Sequence, residues 1–198
     1  MGGHAGGDVA SRMAAEVVEA AVVDDGQTLE QALRLAHVAL IEAGREGRGA
    51  PDMGTTCVAC RLHGRLLETA WVGDSRLYRM RGGRLDQLSR DHSYVQSLVD
   101  AGELTAEAVA THPRRHVLAQ CLGGATPEDL EVEAHTIPAE PGDRLLLCTD
   151  GLTGELADAR IAELLAAEPD DRHAARALVD AALAAGGHDN VTVIVATV

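Results

Sequence analysis

The sequence predicts an α+β fold in which antiparallel sheets carry their helices on the outside. Three observations lead there. Two segments of helical period open the chain, a run of short strands broken by tight-turn residues follows, and strands return after an irregular insertion before the chain closes on two helices and a strand. That order lacks the strict strand–helix alternation of βαβ units. The third is composition: 198 residues with 46% hydrophobic content are enough for one sizeable domain, and with only 2% aromatic residues and no Phe the core must be built from Leu, Val, Ile and Ala.

The elements follow in order. Residues 8–23 repeat apolar side chains at helical spacing through Val9, Met13, Val17, Ala20 and Ala21, with Asp8 as the expected N-cap and Asp24-Asp25-Gly26 as the stop. Thr28 begins a second helix with Leu29, Leu33, Ala36, Leu40 and Ile41 on one face. Residues 44–49 read as a polar, glycine-rich loop, and the two helices are expected to pack antiparallel. The period then changes to two. Residues 55–62, 65–72, 76–80 and 84–88 read as strands joined by His63-Gly64, Gly73-Asp74-Ser75 and Arg81-Gly82-Gly83, an expected antiparallel meander. Residues 91–124 are irregular: Tyr94, Leu98 and Val99 share a helical face, and Thr105 caps a short helix holding Ala108 and Val109. Strands return at 131–137 and 144–148. A helix with Ile161, Leu164 and Leu165 is expected to be capped by Asp158 and ended by Pro169. A last helix carries Ala174, Leu178, Ala181 and Leu183 to Gly186-Gly187, and the final strand is 191–198.

The net charge of −14 argues against nucleic acid, whose phosphates such a surface repels, and suits a soluble protein that handles cations. A phosphorylated substrate would need metals or arginines to supply local positive charge. The chain shows no basic, apolar leader and no apolar run of membrane-spanning length, so a cytoplasmic protein without membrane contact is expected. Cys57 and Cys60 form a C-x-x-C, but inside a strand, where residues three apart point to opposite faces; buried, reduced thiols are expected there rather than a shared metal.

Three acids carry the candidate chemistry. Asp150 follows the apolar run Leu145-Leu146-Leu147-Cys148 and precedes Gly151; Asp189 follows Gly186-Gly187-His188 just before the last strand; Asp74 sits in the turn after Val72. Each alone is ordinary turn chemistry. Together they point to a hard divalent cation, because Mg²⁺ and Mn²⁺ take oxygen ligands and clustered carboxylates need a cation to stay ionised.

Six segments occur in one order almost from end to end: Gly2-Gly3-His4-Ala5-Gly6-Gly7, Met53-Gly54-Thr55-Thr56, Val72-Gly73-Asp74-Ser75-Arg76-Leu77-Tyr78, Ser89-Arg90-Asp91-His92-Ser93, Cys148-Thr149-Asp150-Gly151-Leu152 and Gly187-His188-Asp189-Asn190-Val191-Thr192. In these the chain resembles the metal-dependent serine/threonine protein phosphatases, the PPM or type 2C family, in their bacterial form. The resemblance implies a single domain over 1–198 built as an antiparallel β-sandwich flanked by helices, four layers α-β-β-α. It implies that residues 91–124, with Thr111-His112-Pro113-Arg114, form the flap insertion of the phosphoprotein-directed type, unlike the stress-response phosphatases that act on anti-sigma antagonists. The implied substrates are phosphorylated proteins, targets of a serine/threonine kinase, met by a monomer.

The implied chemistry is attack on phosphorus by a water or hydroxide held between two Mn²⁺ or Mg²⁺ ions about 3.5–4 Å apart. Asp150 and Asp189 resemble ligands of the first metal. Asp74 resembles a ligand of a third, weaker site to which Asp150 also contributes. Asn190 and Gly151 resemble supporting residues behind the ligands. His92 and His112 are candidates for protonating the leaving group, against a structural role for each, and His4 carries the same ambiguity. Arg114 and Arg76 are candidates for touching phosphate, Arg76 rather as a structural partner within its motif, while Arg90, Arg114 and Arg115 read as a local basic patch.

One departure stands out. In the family an Asp-Gly pair precedes the glycine turn, its Asp bridging both metals and its Gly carbonyl ligating the second; here Met1 stands directly after that place. An N-terminally truncated phosphatase is therefore expected, with two protein ligands left for the first metal, no direct ones for the second, and a sheet short of its opening strand. The competing expectation is a catalytically inactive phosphatase-like binding module in signalling. An in-frame upstream strand ending in Asp-Gly supports the first, a stop codon there the second. On this reading the purified 198-residue polypeptide hydrolyses p-nitrophenyl phosphate with Mn²⁺ poorly or not at all; robust turnover in that assay overturns the assignment of missing ligands.

Overall fold

A computed structural model describes residues 6–124 and 130–198; His4 and most of the opening glycine turn lie outside the described residues. In chain order the elements are α1 (Gly7–Val23), α2 (Leu29–Arg45), β1 (Cys57–His63), β2 (Leu66–Val72), β3 (Arg76–Arg81), β4 (Arg84–Gln87), α3 (Tyr94–Asp100), a 3₁₀ helix (Ala106–Thr111), β5 (Glu133–Pro138), β6 (Arg144–Cys148), α4 (Asp150–Thr153), α5 (Asp158–Ala167), α6 (Asp171–Ala185) and β7 (Val193–Thr197). They divide into two compact units, Met1–Asp74 with Asp91–Ile137 and Ser75–Arg90 with Pro138–Val198.

In the first unit α1 and α2 pack on each other and α2 packs on the antiparallel pair β1–β2, which β5 extends in the order β1-β2-β5. The N-cap of α1 is Gly6 rather than Asp8: its backbone is left-handed at φ 86°, a conformation glycine adopts freely, and Asp8 lies in the first helical turn, where a carboxylate complements the helix dipole. Thr28 caps α2 as expected. Its hydroxyl accepts from the Gln31 N–H at 3.2 Å while the Gln31 side chain accepts from the Thr28 N–H at 3.1 Å, a reciprocal capping box. Leu29, Leu33, Ala36 and Leu40 of α2 bury with Ala10 and Ala14 of α1 against Ala70 and Val72 of β2, each leucine contributing about 2 kcal/mol of transfer free energy. Gly44 belongs to α2 and not to the loop, and it packs so closely on the following segment that a Cβ there would lie 2.8 Å from the Pro51 carbonyl. Trp71 is fully buried beside His135, ring centroids 5.3 Å apart.

In the second unit the sheet order is β4-β3-β6-β7, all antiparallel. Tyr78, Leu146 and Cys148 meet Leu152, Ile161, Leu165, Leu178 and Ala182 in its core. The four early strands therefore do not form one meander. Pairing breaks between β2 and β3, at Gly73 (φ 110°), where a Cβ would lie 2.3 Å from the Thr56 side chain; β3 instead takes β4 and β6 as neighbours. The cap of α5 is Ala157. Asp158 is the first helical residue, and its carboxylate accepts the Tyr78 hydroxyl at 3.0 Å. Arg76 donates to the same hydroxyl at 2.9 Å, and burial pushes the phenol's ionisation upward. Leu183 is exposed, the buried position on that turn of α6 being Ala182. Thr105 precedes the 3₁₀ helix with an extended backbone but caps no N–H with its side chain. None of the four cysteines forms a disulfide. Cys148 is buried and the others half-buried, and desolvation lifts Cys57 to about 11. No helix among the described residues is long and apolar enough to cross a membrane.

One ion pair fastens the second unit's sheet. Asp143, 1% exposed in its side chain, accepts two guanidinium N–H groups of Arg81 and the Glu140 N–H at 2.9 Å, while Arg81 also reaches Glu140 at 2.8 Å. The guanidinium hydrogen bonds hold the Asp143 carboxyl below the usual carboxylate range. Because the folded value is depressed, the stabilisation is complete above the unfolded carboxylate range, near pH 4, and is lost as pH falls through the lowered folded value. Asp143→Asn should cost about 2–3 kcal/mol at neutral pH and flatten the acid limb of stability against pH, read by urea unfolding at a series of pH values.

Candidate functional site

The site is built where β6 ends and β7 begins, within the second unit. The strand pair runs from Arg144 opposite Thr197 to Cys148 opposite Val193, so the residues just beyond it meet as well. The Thr149 N–H donates to the Thr192 carbonyl at 3.1 Å. The Thr149 hydroxyl accepts from the Thr192 N–H at 3.0 Å and donates to the Asn190 carbonyl at 3.2 Å. Gly151 completes the seam, because a Cβ there would lie 2.2 Å from the Asn190 carbonyl oxygen. Asp150 and Asp189 thus stand on two touching segments of distant sequence. Asp150 is half-buried at the head of α4, a four-residue helix that sequence periodicity is too short to reveal. Asp189 is exposed, and one of its oxygens accepts the Asn190 N–H at 2.7 Å. A carboxylate oxygen so engaged keeps a further lone pair, and its partner oxygen adds two more.

A second tie lies on the other flank of Asp189. Glu155, in the turn after α4, accepts both the N–H and the ring Nδ1–H of His188, at 3.1 and 2.8 Å. These hydrogen bonds hold the Glu155 carboxyl below its ordinary range. Neither residue was singled out for chemistry by the sequence, where an acid in a turn and a histidine beside a glycine pair carry no signal of their partnership.

Asp74 belongs to the first unit. The turn that bears it is braced by His92: the Gly73 N–H donates to His92 Nδ1 at 3.3 Å and the His92 N–H donates to the Gly73 carbonyl at 2.9 Å. With Nδ1 accepting, the ring proton sits on Nε2 and is given to Glu133 at 3.2 Å. His92 is 8% exposed. His112 accepts the Arg114 N–H at 3.1 Å. Arg114 donates to the Tyr94 hydroxyl at 2.8 Å with its guanidinium over the ring, 4.1 Å from the centroid. His112 and Arg114 are therefore engaged with each other and with Tyr94, and Arg76 is engaged with Tyr78 in the core of the second unit.

Among the described residues no group of three or more His, Cys, Asp or Glu side chains is placed to hold a metal ion. The donors present are the hard oxygens of Asp150 and Asp189. A small hard cation such as Mg²⁺ is commonly held by one or two carboxylates while keeping several waters, so this donor set fits a hydrated divalent ion and does not fit a dehydrated all-protein cage.

The family described as Protein phosphatase 2C matches residues 1–186. The serine/threonine protein phosphatase PstP of Mycobacterium tuberculosis is 37% identical over 205 residues, covering 100% of this chain and 39% of its own length. The chain thus spans about two fifths of that relative. Among solved structures, the catalytic domain of PstP in complex with two manganese ions aligns at TM-score 0.84 and 35% identity, over 100% of this chain and 84% of that one. The serine/threonine phosphatase Stp1 of Staphylococcus aureus aligns at TM-score 0.88 and 30% identity, over 100% of this chain and 80% of that one. These alignments confirm the expected α+β class of antiparallel sheets with helices.

The seam at Gly151 has a measurable consequence. Alanine is the better helix former by about 1 kcal/mol, but its methyl group would collide with backbone at 2.2 Å, which no side-chain rotation relieves. Gly151→Ala should therefore destabilise the protein by about 1–3 kcal/mol, seen as a lowered Tm in circular dichroism, and should weaken Mn²⁺ binding in a calorimetric titration.

Proposed function

The chain belongs to the protein phosphatase 2C family, and on that premise we propose that it serves the metal-dependent hydrolysis of phosphoserine and phosphothreonine in proteins. The observation that carries the proposal is the seam of Thr149, Gly151, Asn190 and Thr192, which holds the segments of Asp150 and Asp189 edge to edge. Asp150 and Asp189 hold the first cation, Mn²⁺ or Mg²⁺; the manganese in the PstP catalytic domain supports that choice. A divalent ion bound there supplies a nucleophilic water at neutral pH and offsets charge on the phosphoryl oxygens. Asn190 orients Asp189 through its backbone N–H, and Gly151 keeps the seam closed by having no side chain. Asp74 serves as a ligand of a further, weaker cation site. His92 steadies the turn of Asp74.

The substrates are phosphoproteins made by serine/threonine kinases, a reading supported by the serine/threonine phosphatases that the chain resembles. With a net charge of −14, the surface disfavours a phosphorylated partner unless cations gather at the site.

Fused behind a strand of the family pattern ending in Asp-Gly, the domain should release phosphate from a phosphothreonine peptide with Mn²⁺ or Mg²⁺ and not with EDTA. Asp150→Asn in that protein should abolish the release while leaving the circular dichroism spectrum and Tm nearly unchanged. Undiminished rates in the variant remove Asp150 from the site.

A further inference from the structure

We propose that Glu155 is a positioning residue that sets the loop bearing Asp189 against Asp150, with the amide and imidazole of His188 as its two points of attachment; the inference rests on the cation site proposed above. Between the end of α6 at Ala185 and the start of β7 at Val193 the chain has no regular structure to place Asp189. Two attachments bracket it. Downstream, Thr149 binds Asn190 and Thr192. Upstream, Glu155 binds His188 twice through one oxygen, at 3.1 Å to the amide and 2.8 Å to Nδ1. Thr149 immediately precedes Asp150 and Glu155 lies just past α4, so the loop is tied on either side of Asp189 to chain on either side of Asp150.

The partners are unequal in a way that fits this role. The Glu155 side chain is 11% exposed and that of His188 is 82% exposed, so a largely enclosed carboxylate holds an otherwise solvent-facing residue. The neighbouring glycine is shaped to the pair. A Cβ on Gly186 would lie 2.3 Å from His188 Cε1 and 2.9 Å from Glu155 Oε2, so a side chain there would displace both partners. A loop fixed before the cation arrives loses less freedom on binding it, and the affinity rises by that difference. Loss of an outer partner behind metal ligands lowers affinity about 10-fold or more.

The test uses the 198-residue chain, with Mn²⁺ affinity read by electron paramagnetic resonance of the free ion and, without metal, amide hydrogen exchange at His188 read by NMR. Glu155→Ala should weaken Mn²⁺ binding about 10-fold and remove protection of the His188 amide. Glu155→Gln, whose side-chain oxygen still accepts both N–H groups, should restore most of each; rescue by the neutral variant identifies positioning rather than charge. His188→Ala, keeping the amide bond alone, should fall between. The inference is overturned if Glu155→Ala binds Mn²⁺ like the wild type, or if Glu155→Gln is as impaired as alanine. Asp150→Asn separates the two readings: it should abolish binding, and unchanged Mn²⁺ affinity in that variant removes the cation site itself.

Discussion

Two carboxylates far apart in sequence can serve one cation only if the backbone beneath them is held in register, and in this protein a single threonine hydroxyl carries much of that constraint. Thr149 continues the β6–β7 ladder past its last strand pair by accepting from one backbone N–H and donating to one carbonyl of the opposing segment. A valine of the same shape would leave the Thr192 N–H and the Asn190 carbonyl without this partner, at a cost of about 1–3 kcal/mol for each that is buried. The close approach at Gly151 follows from the same register, since only a residue without a Cβ lets the turn lie directly on the Asn190 carbonyl. The acids are thus placed by backbone and by small side chains. Residues that touch no phosphate shape the site as much as those that would.

The rest of the second unit serves that register. Tyr78 is pinned from both sides by Arg76 and Asp158, which fixes β3 beneath α5. Arg144 on β6 donates to Asp171 at 2.8 Å and to the Leu165 carbonyl at 2.6 Å, and Asp171 in turn accepts from the Thr197 N–H and hydroxyl, both at 2.8 Å. One guanidinium and one carboxylate therefore join the start of β6, the last turn of α5, the first turn of α6 and the end of β7. The strands whose far ends carry Asp150 and Asp189 are locked at their near ends by this pair.

Much of this architecture was legible in sequence, and the parts that were not share a physical cause. Thr28 marks the start of the second helix in sequence, and in the structure it is the N-cap of α2, with Gln31 completing a capping box. The bounds of β6 are sharp in sequence because an apolar run that starts at a charged residue and ends at a Thr-Asp-Gly turn has distinct chemical edges. Asp8 and Asp158 misled because an acid in the first turn satisfies the same electrostatics as a cap, and the choice was made by Gly6 in one case and by the Tyr78 hydroxyl in the other. The division of the strands between two sheets was hidden because alternation tells which face is buried and not which neighbour is paired. The break falls at Gly73, where the backbone is left-handed and lies against Thr56. In the site, Asp150 and Asp189 were visible through glycine neighbours and strand ends, whereas the tie between Glu155 and His188 spans 33 positions and leaves no local trace.

The lone tryptophan gives the molecule an uneven optical record of itself. Trp71 is the only indole in the chain; it lies on β2, is 1% exposed, and stands 5.3 Å from the imidazole of His135. Its emission reports the solvation of one buried position on β2. Unfolding followed by fluorescence reads that one position, whereas far-ultraviolet dichroism averages over every helix and strand, and coincidence of the two transitions would license treating the protein as one cooperative body.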